Sequence, residues 1–177
     1  MGSSKSDVEI RPATDGDLPT ITEIHNALLD TTTYEWTEVR HTVEERAEWL
    51  RQKRADGWPV LVAVDGGQVV GWATYGPFRD NAHYPGNWCT VEHTLHVAAS
   101  HQGRGVGRTL LEALADRARS EGRWVMVAGA DGTNTDSIAF HERLGFREVA
   151  RMPGVGEKWG RRLDLVFLQH ELSEPFL

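Results

Sequence analysis

Cysteine occurs once in the 177 residues, at Cys89, so no disulfide can close within the chain and a reducing compartment, the cytoplasm, is the expected setting. No run approaches the roughly 18 apolar residues that a membrane span requires, and no charged-then-apolar leader opens the chain. Positive charge is in short supply: 19 Lys and Arg stand against 26 Asp and Glu, a formal net charge of −7. That balance is unsuited to broad nucleic-acid binding, in which clustered cations neutralise phosphates. A polyanionic ligand must therefore be met by a local positive site. Internal repeats, low-complexity tracts and long linkers are missing too, which leaves no seam at which to divide the chain.

What is present is globular in composition, 40% hydrophobic, 8% aromatic and 25% charged. We expect one domain over residues 8–172, with tails at 1–7 and 173–177. The start carries Gly2 and Ser6 in the short pattern of N-myristoylation, although a plain tail is the simpler reading. Residues 8–11 read as a strand. A helix follows, with Thr14 or Asp15 as N-cap and Leu18, Ile21, Ile24 and Leu28 on one face. A second runs from about Val43 to Arg54. "PVLVAVDGGQVVGWATYG" is a hairpin signal, two β-rich runs about a glycine turn. "WCTVEHTLHV" is a strand, and a helix carrying Val106, Leu110, Leu111, Leu114 and Ala118 follows, stopped by Gly122. "RWVMVAG" is a buried strand, and a helix runs from near Asn134 to Gly145. Short strands at 146–151 and 163–171 close the order β-α-α-β-β-β-α-β-α-β-β. The pattern specifies an α/β (α+β) fold, a mixed, mostly antiparallel sheet of about seven strands with helices on its faces.

The stretch "HQGRGVGRTLLEAL" is the chemical signal. Gly103, Gly105 and Gly107 leave main-chain N–H groups unshielded where a helix begins, and a helix start has unpaired donors and a partial positive charge. Arg104 and Arg108 add formal charge, and successive amides form an anion nest suited to a pyrophosphate. The phosphate-loop pattern fails here, because Gly107 is followed by Arg108 and Thr109 in place of Lys-Ser/Thr. The dinucleotide fingerprint fails as well, because three strand-like runs precede the loop.

The segment Gln102-Gly103-Arg104-Gly105-Val106-Gly107 resembles the acetyl-CoA loop of the GNAT superfamily of N-acetyltransferases. "IRPATDGDLPTI" is similar to that family's opening strand and helix, and "AFHERLGF" to its closing helix motif. "YGPFR", "TVEHTLHV", "NTDSIAFHERLGF" and "KWGRRLDLVFLQ" further resemble the phosphinothricin N-acetyltransferase family, whose members acetylate the α-amino group of glutamate-like compounds such as phosphinothricin or methionine sulfoximine. The resemblance implies acetyl-CoA as co-substrate, no metal, direct transfer in a ternary complex and a homodimer. It places acetyl-CoA against Leu95, His96, Val97, Gly103, Arg104, Gly105, Val106, Gly107, Arg108 and Asn134, with the Val97 amide polarising the thioester oxygen.

An α-ammonium cannot attack a thioester until it loses a proton, so a base is required. On its own Glu92 reads first as a surface-facing carboxylate on a half-exposed strand; by resemblance it falls on a catalytic carboxylate. His141 titrates near neutrality and is the second candidate, as base or as acid toward sulfur; it also reads as a helix histidine bonded to a neighbouring carbonyl. Arg79, Tyr84 and Thr94 match acceptor-lining positions, and an arginine can grip a carboxylate or phosphinate with two donors. "DTTTYEW" resembles the loop over that acceptor. Asn81, Asp131 and Arg162 depart from the narrower family, which loosens the choice of acceptor. Two other readings share the glycine loop: an enzyme for a protein amino terminus or polyamine, and a non-catalytic acyl-CoA-binding module. His93, His96 and His101 do not make a metal site, since strand residues three apart point to opposite faces.

Overall fold

The computed structural model describes residues 8–173. The expected tail at 1–7, with Gly2 and Ser6, and all but Ser173 of the one at 173–177 lie outside the described residues. Seven strands join in one sheet, in the order β1-β2-β3-β4-β5-β7-β6. These are β1 (Glu9–Pro12), β2 (Val60–Asp65), β3 (Gln68–Pro77), β4 (Thr90–Val97), β5 (Val125–Asp131), β6 (Arg147–Lys158) and β7 (Arg161–Glu171). Four α-helices accompany them: α1 (Leu18–Leu29), α2 (Val43–Ala55), α3 (Val106–Ser120) and α4 (Thr135–Arg143). The element order matches the one expected from periodicity. The described residues cluster into two compact units, each made of separate stretches of chain. The first holds residues 8–26, 41–75 and 94–116, the second residues 27–40, 76–93 and 117–173.

In the first unit, the helical period of α1 and the strand period of β2 converge on one apolar cluster. Leu18, Ile21 and Ile24 meet Val60, Val62, Val64, Leu50 and Trp72, with Trp49 packed beside them. The β2–β3 turn takes Gly66 and Gly67 at φ 55° and 82°, the left-handed pair that a two-residue hairpin demands. Thr14 caps the turn before α1. Asp17 accepts from the Thr14 amide and hydroxyl at 2.7 and 2.8 Å and from Arg11 at 2.7 and 2.9 Å. The Arg11 bond, chiefly, holds the buried Asp17 carboxyl at about 2, below its ordinary 3.8. Its stabilisation is thus whole above the ordinary value and fades as pH falls toward 2. α2 starts on a reciprocal cap, Thr42 Oγ1 accepting from the Glu45 amide and Glu45 accepting from the Thr42 amide.

In the second unit, β5 runs parallel to the first part of β4 and antiparallel to β7, which pairs antiparallel with β6. Met126, Ala128 and Ala130 of β5 and Val166 and Leu168 of β7 are buried, the alternation of one covered sheet face. Asn134 caps α4 by accepting from the Ser137 amide at 3.1 Å, and Gly145 ends the helix region at φ 88°.

β6 departs from expectation. It continues to Lys158, well beyond the expected end at Arg151, although Pro153, Gly154 and Gly156 read as loop punctuation. The reason is its place at the edge of the sheet, where a proline costs no ladder bond on the open side. Its register against β7 slips between Met152 and Gly156, which absorbs the irregular residues.

Candidate active site

The glycine loop belongs to the first unit. Gly103 and Gly105 adopt φ 74° and 86°, and a Cβ at either would meet no atom within 4 Å. Glycine is therefore required by backbone conformation, and open space lies on the side where a side chain would stand. The Thr109 amide donates to the Gly105 carbonyl at 3.1 Å, the first rung of α3. It follows that the amides of Val106, Gly107 and Arg108 have no acceptor inside the helix. α3 has no acidic residue in its first turn, and Val106 is buried as its anchor. Arg104 and Arg108 are exposed, Arg108 3.5 Å from Glu112 one turn on. An anion fits these donors, and a pyrophosphate spans enough of them to use the nest.

Leading into the loop, β4 carries Thr94, Leu95, His96 and Val97, all half-buried. His96 stands against the rings of Trp72 and His25, with centroids 5.1 and 5.7 Å away. Gln102 donates to the Val97 carbonyl at 3.2 Å and ties the loop to the strand. Gly71 on β3 permits close approach, since a Cβ there would lie 3.0 Å from the His96 carbonyl. His101 bridges Ser100, at 2.8 Å, and Asp65, at 3.5 Å, and so braces the loop from the β2–β3 turn.

Glu92 belongs to the second unit and reaches across β5. Its Oε1 lies 3.3 Å from where a Gly129 Cβ would stand, and Leu165 Cδ1 and Phe167 Cε1 lie 3.6 and 4.0 Å from the same point. Phe78 meets Phe167 edge-on at 6.1 Å. Gly129 is exposed, so this carboxylate overlooks an open notch with an apolar floor. Burial raises its pKa above the ordinary carboxylate value. Sequence reasoning missed Gly129, whose only signal is a glycine inside a buried strand run.

His141 and His93 form a buried pair on the opposite face. His141 Nδ1 lies 2.7 Å from the Ser137 carbonyl, which can only accept, so that nitrogen carries the proton. Nε2 of the neutral ring is then an acceptor, and it faces His93 Nε2 at 3.1 Å, which must donate. Burial, opposed by the Ser137 carbonyl, lowers the His141 pKa, so the neutral ring is favoured. Asn134 sits at the start of the same helix as its cap.

Arg79 and Tyr84 come together, with the guanidinium carbon 4.6 Å from the ring centroid, and both are exposed. Asp131 is buried. Its Oδ1 accepts from the Thr133 amide and hydroxyl, at 2.8 and 2.9 Å, which fixes the turn into α4.

The first unit offers an anion site at the start of a helix and the second a desolvated carboxylate at an open glycine, features that suit an acyl-transferring α/β enzyme. The sequence profile of the Acetyltransferase (GNAT) family matches residues 21–146, and the chain belongs to that family. It is 42% identical over 165 residues, 93% of this chain and 95% of the relative, to an L-methionine sulfoximine/L-methionine sulfone acetyltransferase of Salmonella typhimurium. It is 32% identical to a phosphinothricin N-acetyltransferase of Streptomyces coelicolor, covering 94% of this chain and 98% of that one. An acetyltransferase structure from Salmonella typhimurium, solved with acetyl-CoA, superposes with a TM-score of 0.90 at 41% identity, covering 97% of this chain and 98% of the other. The protein is thus an acetyl-CoA-dependent N-acetyltransferase. No helix among the described residues is long and apolar enough to cross a membrane.

Proposed function

We propose that this enzyme acetylates the α-amino group of a small amino acid analogue of the methionine sulfoximine, methionine sulfone or phosphinothricin type. The observation that carries the reading is the Glu92 carboxylate, desolvated over Phe167 and Leu165 and facing the notch left by Gly129. Acetyl-CoA supplies an acetyl group already activated as a thioester. The amides of residues 103–108, with Arg104 and Arg108, hold its diphosphate, and Leu95, His96 and Val97 align its arm as an added strand would be aligned. Asn134 adds a polar contact beyond its capping bond. Glu92 takes the proton from the acceptor ammonium. The freed amine bonds to the acetyl carbon, the carbon–sulfur bond breaks, and the proton that the nitrogen sheds in becoming an amide joins the leaving sulfur, so that CoA departs as the thiol. The Val97 amide meets the charge that develops on the thioester oxygen.

Glu92 is favoured over His141 as base because the His141 lone pair is already engaged by His93. His141 serves by holding the ring pair in place beneath the strand that carries Glu92. Arg79, with Tyr84, meets the anionic end of the acceptor, and Thr94 lines the acceptor. The discriminating experiment is a thiol-release screen with acetyl-CoA and L-methionine sulfoximine, L-methionine sulfone, phosphinothricin, polyamines and a peptide. Release with the first three compounds supports the reading. Release only with peptide or polyamine, or with none, contradicts it.

Residues 8–172 act as one acetyltransferase domain in the cytoplasm, a reading supported by relatives that match over nearly the whole chain. The enzyme works as a homodimer. Val149, Met152 and Val155 are 47%, 44% and 50% exposed on the edge strand β6, large apolar side chains that an isolated protomer leaves bare. Light scattering is expected to give twice the 19.8 kDa protomer mass, and Met152→Lys to shift the mass toward the protomer.

A further inference from the structure

Lys158 carries a charged group into the interior of the second unit, where it is 2% exposed. Its ammonium donates to the main-chain carbonyls of Thr32 at 2.8 Å and Glu35 at 2.9 Å, and lies 4.7 Å from the centre of the Trp159 ring. Taking an ammonium out of water is costly, and two carbonyl dipoles and a ring face help to repay it here. The two carbonyls are three residues apart in a segment with no helix or strand, so the chain bends around the nitrogen. A second contact pins the same segment: Trp36 fills the space above Gly156, where any Cβ would collide with its ring.

The sheet register shows which face this segment covers. Gly156 pairs with Leu163, and paired residues present the same side. Leu163, Leu165 and Phe167 alternate on one face of β7, and Leu165 and Phe167 are the residues that meet Glu92 at the Gly129 notch. Trp36 therefore rests on the face that carries the Glu92 carboxylate, and Lys158, two residues past Gly156, enters from that face as well. From Phe167 to Leu163 is four residues, about 13 Å along the strand. That spacing leaves room for a small amino acid between the base and the segment.

We propose that Lys158 is a positioning residue: it fixes the Thr32–Trp36 segment as the far wall of the acceptor site and sets acceptor affinity without touching the acceptor. The proposal rests on the reading of the Glu92 face as the acceptor site. It goes beyond that reading by making the shape of the Thr32–Trp36 segment depend on one of only three lysines in the chain.

The test uses the full chain with Lys158→Met, which keeps the length and loses the donors, and Gly156→Ala, which displaces Trp36 and leaves Lys158 alone. With L-methionine sulfone as acceptor, each folded variant is expected to raise the acceptor KM at least tenfold, with kcat and the acetyl-CoA KM within twofold of wild type. Hydrogen exchange of amides 30–37 is expected to rise in both variants. Should Lys158→Met fail to fold, Gly156→Ala decides by the same split. An unchanged acceptor KM, a parallel rise in both KM values or unchanged exchange at 30–37 overturns the proposal. If wild type acetylates no amino acid analogue, the acceptor reading fails, and exchange alone still decides whether Lys158 holds the segment.

Discussion

Glu92→Gln is expected to lower kcat by about 10²–10⁴-fold, the usual contribution of a positioned general base. The amide keeps the size and a hydrogen-bonding oxygen beside Gly129, so neither the strand nor the notch needs to rearrange. It cannot take a proton at any working pH. Acetyl-CoA affinity, measured by calorimetry, should stay within twofold, because the donors proposed to hold the diphosphate lie on the loop at 103–108. That split separates a lost base from a damaged fold, which would weaken both. Unchanged turnover would remove Glu92 from the chemistry and return His141 to consideration.

Gly105→Val should give the reverse split. Gly105 sits at φ 86° with no neighbour within 4 Å, so the added side chain meets no clash in the free protein. The cost is conformational, about 1–3 kcal/mol for a β-branched residue held in the left-handed region. The loop can escape it only by turning its amides away from the anion. Each 1.4 kcal/mol is a tenfold change in affinity, so the acetyl-CoA Kd should rise by roughly 10- to 100-fold. At saturating acetyl-CoA, kcat should recover most of its wild-type value. Equal affinity in the variant would show that the loop does not hold the nucleotide.

Most of the architecture was legible in the sequence because local and long-range signals agreed there. The α1 period, the glycine pair after Asp65 and the capping residues Thr14 and Asn134 each act within a few residues, and each behaves as its chemistry dictates. β6 was misjudged because its proline and glycines describe a loop unless one knows that the strand lies at an edge, and edge position is a property of the whole sheet. Of the proposed site, Gly103 and Gly105 stand out by residue type, whereas Glu92 is singled out only by the family resemblance. The state of His141 could not be read from its neighbours in sequence, since His93, the partner that engages its lone pair, is 48 residues away. Lys158 was hidden for the same reason. Its acceptors at Thr32 and Glu35 lie more than 120 positions upstream, and nothing in "EKWG" marks a buried cation.

Burial holds Glu92 protonated to higher pH than an ordinary carboxyl, and in the proposed reaction this group must ionise before the acceptor can react. The pH dependence of kcat/KM for L-methionine sulfone, compared between wild type and Glu92→Gln, tests it most directly. A base works only when ionised, so activity must fall as pH drops through its raised pKa and level off above it. Wild type is expected to show an acid limb displaced upward from the ordinary carboxylate value, and the residual activity of Glu92→Gln is expected to lack it. The same limb in both proteins would show that another group takes the proton and would remove Glu92 as the base.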